Sequence, residues 1–292
     1  MTVVDQSTAD TANSTGVLVA SSATADTKGS WVELISSTSE ETYWITLVLA
    51  HNFASVAKRN FLVDIAVGAA ASESVQIADV SAYLCLSESI TYLFPLTIPS
   101  GSRVSARCSN ADSSATSCYS MIYLSNDDSF GTSTVNATFG TDAGNSKGTA
   151  IEADGTTDDT KGAYAELESS TSIDVDYIVV MIGGNDNTNI TPAQTALVDF
   201  SSGAASSEVD LISNVPYGMF NVETSGVAAA FFQAISSGTR LAARVQTSDS
   251  VSAGAADRTI DVSVLGFTMV APGGGGGSAS VLGQIGLNGG LQ

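Results

Sequence analysis

Short apolar runs in which hydrophobic and small polar residues alternate recur along most of the chain. Tyr43–Ala50 (YWITLVLA), Phe61–Gly68 (FLVDIAVG), Tyr177–Gly183 (YIVVMIG) and Ala196–Gly203 (ALVDFSSG) are rich in β-branched and aromatic residues, the mark of a strand with one buried face. Val227–Ile235 (VAAAFFQAI) has a helical composition, but its counterpart Ile90–Ile98 (ITYLFPLTI) carries Pro95 and ends next to Pro99, so both are read as strands. Runs of about five to eight residues between Gly, Ser, Asn and Asp turns predict an antiparallel β-sandwich.

The pattern is written twice. Asp26–Ser39 (DTKGSWVELISSTS) returns 133 positions later as Asp159–Ser172 (DTKGAYAELESSTS). Phe61–Ile77 matches Ala196–Ile212, and Ile98–Cys108 matches Ile235–Val245, the offset drifting only to 135 and 137. Small drifts are what loop insertions produce, and the period suits a duplicated domain rather than a solenoid. The expected fold is all-β: a tandem duplication of a jelly-roll-like sandwich with flexible termini. The expected division is an N-terminal arm (1–16), a first copy (17–124), a linker (125–148), a second copy (149–271) and a Gly-rich C-terminal segment (272–292).

Ten Lys plus Arg against thirty Asp plus Glu give a formal charge of −20, which argues against nucleic acid and anionic membranes as direct partners. At 43% hydrophobic and 14% charged the composition is that of a folding chain. No basic n-region or membrane-length apolar run is present, so a cytoplasmically made, soluble protein is expected. Cys85, Cys108 and Cys118 fit neither a disulfide framework nor a metal spacing and are read as reduced packing residues, with a Cys108–Cys118 bridge as the alternative.

Candidate chemistry is sparse. Arg103 and Arg107 share one strand face, and Arg240 and Arg244 repeat them; each copy adds an Asp (Asp64, Asp199) and a Glu (Glu73, Glu208). Scarce arginines at matched places point to forked bonds to carboxylates or carbonyls, within a domain, at a subunit contact or around an anionic ligand. Lys28 and Lys161 are assigned to DTKG turns in which Asp caps amides and Gly takes a positive φ. His51, the only histidine, has Gly184 at its matching place and supports no duplicated triad. The oxygen-rich loops Asp154–Asp159 and Gly183–Asn189 lack the EF-hand pattern and read as turns. No cofactor is implied. In the C-terminal segment Val281, Leu282, Ile285, Leu287 and Leu291 follow a glycine run without a charge, as a partner anchor would.

The phrases TKGSWVEL, FLVDIAVGAAASE and IPSGSRVSAR resemble modules of virion structural proteins of tailed bacteriophages. The resemblance implies a jelly roll without enzymatic activity, serving as a capsid decoration or cement protein. Its partners would be other virion proteins, the major capsid protein first, and its own copies. Trimers are common among such proteins, although no coiled coil here demands one. The alternative is a tail-fibre or tail-tip component binding a receptor or carbohydrate, with Tyr43, Trp44, Tyr83 and Tyr92 as its aromatics.

Overall fold

The computed structural model describes residues 2–13, 15–51, 59–84, 89–112, 115–154, 157–183, 194–219, 226–248 and 259–271, and every regular element among them is a β-strand. The first half holds β1 (Val3–Gln6), β2 (Val17–Ala20), β3 (Val32–Ile35), β4 (Thr42–His51), β5 (Arg59–Val67), β6 (Ser74–Leu84), β7 (Ser89–Ile98), β8 (Val104–Asn110) and β9 (Ser117–Ser125). The second holds β10 (Thr132–Phe139), β11 (Thr141–Asp142), β12 (Lys147–Glu152), β13 (Ala165–Glu168), β14 (Val175–Gly183), β15 (Gln194–Ser202), β16 (Val209–Met219), β17 (Val227–Ile235), β18 (Leu241–Thr247) and β19 (Thr259–Val270).

In the first half β1 and β2 both pair with β9, whose sheet continues through β4 to β7; the facing sheet runs β3–β8–β5–β6. The second half repeats this order: β10 and β12 both pair with β19, followed by β14 and β17, opposite β13–β18–β15–β16. All pairings are antiparallel, and each half is a jelly roll whose first strand is split in two. Alternation decides the inner faces. Ile45, Leu47 and Leu49 of β4 enter the first core, while Ile178, Val180 and Ile182 at the matching places of β14 enter the second. Pro95 and Pro216 fall in β7 and β16, edge strands where a missing amide costs no ladder bond.

The backbone repeats as closely as the sequence. Left-handed residues come in matched pairs, Asp26 with Asp159, Ala71 with Ser206 and Asp79 with Asn214, each pair within a few degrees in φ. This corrects the reading of the DTKG turn: its Asp takes the positive φ, whereas Gly29 and Gly162 serve close approach. A Cβ there would stand 2.1 Å from Ala20 O and 2.4 Å from Glu152 O.

Two expected boundaries fail. The segment read as an N-terminal arm contributes β1 to the first sheet, and the 125–148 linker carries β10, β11 and the start of β12. Their polar look reflects strands at a sheet margin with one face exposed, which periodicity weighs as loop. Nor are the halves independent bodies. Tyr177, Val179, Met181, Leu265, Phe267 and Met269, on the outer face of the β14–β19 sheet, belong to the core cluster of the first half. Phe94 meets Phe267 at 5.9 Å between centroids and Trp44 stands edge-on to Tyr177 at 5.6 Å. Trp44 Nε1 donates to Gly131 O at 3.1 Å, Tyr177 OH to Leu93 O at 3.1 Å, and Gly226 N to Tyr83 O at 2.7 Å. Burial on both faces explains why β14 is an almost unbroken apolar run.

Candidate functional site: two repeated ionic clusters

On the outer face of the β3–β8–β5–β6 sheet, Asp64 of β5 lies directly across from Arg107 of β8. Its side chain is only 4% exposed, so its charge needs partners, and it has three: Arg107 Nε at 2.9 Å, Lys28 Nζ at 2.7 Å and the amide of Asp79 at 3.0 Å. Lys28 also reaches Asp79 Oδ1 at 2.8 Å and Leu62 O at 2.9 Å. The Arg107 guanidinium lies over the Trp31 ring, 4.4 Å from its centroid. A turn away, Arg103 forks between Glu33 (2.7 Å) and Glu73 (3.0 Å).

The second half rebuilds the cluster with one exchange. Asp199 receives Arg244 Nε at 2.9 Å, Lys161 Nζ at 2.7 Å and the amide of Asn214 at 2.9 Å. Arg244 lies 4.4 Å over Tyr164, and Arg240 forks between Glu166 (2.7 Å) and Glu208 (3.0 Å). Asn214, however, stands where the first half has Asp79, and the second carboxylate has moved to Asp210, the counterpart of Val75. Asp210 takes Arg244 Nη2 at 2.9 Å and hydroxyl bonds from Tyr164 and Ser201 at 2.6 Å each, where the first half has Trp31 and Ala66. Around Asp64 and around Asp199, apart from the Arg103 and Arg240 forks, there are therefore two cations and two carboxylates. In the first the spare carboxylate serves the lysine; in the second it serves the arginine.

Burial opposes ionisation of Glu73, Glu208 and Asp210, but their hydrogen bonds and the facing arginines outweigh it and hold each below its ordinary value. Glu33 and Glu166 in turn hold Arg103 and Arg240 above theirs, against partial desolvation. Burial weakens the Arg244 charge, and Asp199 and Asp210 more than restore it. A group so satisfied is not poised to give or take a proton near neutrality; what the cluster does is tie β3, β5, β6 and β8 together.

All eight arginines and acids singled out in the sequence thus meet in intradomain pairs. The sequence assigned Lys28 and Lys161 to turns, whereas their amines reach Asp64 and Asp199; Asp79, Asp210, Glu33, Glu166 and the stacked Trp31 and Tyr164 were not singled out. The repeated Lys and Glu in DTKG and its following EL carried a signal for four of them. Trp44, Tyr83 and Tyr92 are buried and Tyr43 is half-buried, so the aromatics proposed for a carbohydrate face offer no exposed platform. Cys108 and Cys118 are buried free thiols. No group of His, Cys, Asp or Glu among the described residues could hold a metal ion. Cys85, most of the Gly183–Asn189 loop and the anchor residues Val281, Leu282, Ile285, Leu287 and Leu291 lie outside the described residues.

No family model matches the chain, and no curated protein is similar to it. Among solved structures it is similar to STIV MCP, at 9% identity and a TM-score of 0.34 over 88% of this chain and 98% of that one. It is also similar to the Cowpea mosaic virus top component (10%, TM-score 0.30, 86% and 95%). A third is the CBM22-1–CBM22-2 tandem domain of Paenibacillus barcinonensis Xyn10C (11%, TM-score 0.26, 82% and 83%). At these scores no residue role is taken from any of them.

Proposed function

We propose that this chain is a non-enzymatic structural protein of a virus particle, specifically a capsid decoration protein on the head of a tailed phage. The observation that carries the reading is the use the fold makes of its charge. In both jelly rolls part-buried arginines and lysines neutralise the buried carboxylates Asp64 and Asp199, while the outer face that carries Thr46, Val48, Tyr119, Met121 and Tyr123 bears no charge at those positions, as suits a body made to pack. The resemblance of TKGSWVEL and its companions to phage virion modules supplies the tailed-phage part. A charge of −20 keeps such a protein off the packaged genome and directs it to protein partners, the major capsid protein first. The segment 273–292, with Val281, Leu282, Ile285, Leu287 and Leu291, is proposed as a further anchor on the shell. The test is electron microscopy of purified particles labelled with an antibody to this chain. Label spread over the head supports decoration; label confined to the tail tip supports adhesion, and none on the particle ends the virion reading.

A further inference from the structure

The contact between the two halves uses two different surfaces, and among the described residues each half leaves only half-buried the one the other has covered. The first half gives its β6–β7 edge, which closes on the outer face of the β14–β19 sheet. At that edge Ile90, Tyr92 and Phe94 are 5%, 1% and 0% exposed. Register places Phe231 where Phe94 stands, since Ile45 pairs with Phe94 as Ile178 pairs with Phe231. At this β16–β17 edge Leu211, Ile212, Val227, Ala229 and Phe231 are only half-buried beside their core, and no described element covers them. The reverse holds for the sheet faces. Val179, Met181 and Leu265 of the second half are 1%, 2% and 0% exposed under the first half. Their counterparts Thr46, Val48 and Tyr123, on β4 and β9, are half-buried, with Met121, Tyr119 and Leu93 beside them. None of these residues is charged, in a chain with thirty acidic side chains.

We propose that a second copy of this chain docks its β16–β17 edge on the β4–β9 face of the first, repeating between chains the contact that already joins the two halves. The partner is argued from continuity: the chain contains both surfaces, and the covered pair shows how they fit. Such a contact is head-to-tail, so it closes into a ring or grows as a filament according to the rotation per step. It rests on the duplicated architecture and not on the virion reading, so it can fail while that reading stands. Because the surfaces are uncharged and the bodies are strongly acidic, salt should strengthen it by screening repulsion.

The internal contact also predicts neighbours across the new one. Thr138 Oγ1 bonds Ala78 O between the halves. Thr138 pairs with Leu265 as Gln6 pairs with Tyr123, and Ser213 precedes Asn214 as Ala78 precedes Asp79. Gln6 of one chain should then lie beside Ser213 of the next; both are exposed. The experiment uses the full chain in light scattering and mild oxidation. Expected are species heavier than the 29.6 kDa chain, association weakened more than about tenfold by Val48→Glu and by Thr91→Glu, an exposed position on the same face, and an interchain disulfide in Gln6→Cys/Ser213→Cys that neither single variant forms. A monomer at every concentration up to about 100 µM, an assembly indifferent to both glutamates, or no such crosslink overturns the proposal. So does an assembly abolished by removing residues 273–292 alone, which would make that segment the occupant.

Discussion

Replacing Asp199 with Asn removes a charge from a place where two cations depend on it. The Asp199 side chain is 2% exposed and holds Lys161, Arg244 and the Asn214 amide. Arg244 would keep Asp210, but Lys161, only 18% exposed, would keep no carboxylate that the structure shows, just the carbonyl of Leu197. Breaking a buried pair by removing one partner costs about 3–5 kcal/mol, and the partial exposure of Lys161 argues for the lower end, about 3. For a chain of 292 residues that is a fall in Tm of roughly 5 °C. Asp210→Asn should cost about 1 kcal/mol, because its side chain is 27% exposed and Arg244 retains Asp199. Asn214→Asp should then partly rescue Asp199→Asn, giving Lys161 the carboxylate that Lys28 finds in Asp79. Calorimetry on the four proteins decides the matter. Equal small shifts for Asp199→Asn and Asp210→Asn, or no rescue, would show that Lys161 and Arg244 do not depend on a matched pair of carboxylates at Asp199 and Asp210.

Three further outcomes are expected. Glu73, Glu208 and Asp210 have folded pKa values below their ordinary ones, so the stability they contribute is complete above the ordinary values and is lost as pH falls from there through the lower folded values. Tm should therefore drop below about pH 4.5, the ordinary Glu value, and a Glu73→Gln/Glu208→Gln variant should show a flatter profile in a pH series. Phe267→Ala, at the junction of the halves, should cost about 3–5 kcal/mol and lower one shared unfolding transition; two separate transitions in calorimetry would contradict the shared core. Gly29→Ala should destabilise strongly, since its Cβ would stand 2.1 Å from Ala20 O, and circular-dichroism melts will read the loss.

The fold was legible because jelly-roll strands announce themselves twice: the same alternation at Tyr43–Ala50 and Tyr177–Gly183, at the same offset, fixes both strand type and duplication. The β-reading of Val227–Ile235 followed from its repeat partner, where Pro95 forbids a helix and an edge strand accepts it. What periodicity could not see was what lies outside each copy. Val3–Gln6 and Thr132–Phe139 are strands only because β9 and β19 offer them free edges, and the aromatic contact between halves joins residues with no pattern in common. At the clusters, the arginines and their repeated acids were visible through scarcity. The exchange of Asp79 for Asp210 was not, because it keeps charge balance while breaking the position-by-position match that betrayed the rest.

A protein that decorates a virus head, the role proposed here, must be present in many copies on every particle. Quantitative mass spectrometry of purified particles, with the major capsid protein as internal standard, should find hundreds of copies per particle. A handful per particle, or none, would contradict a decoration protein.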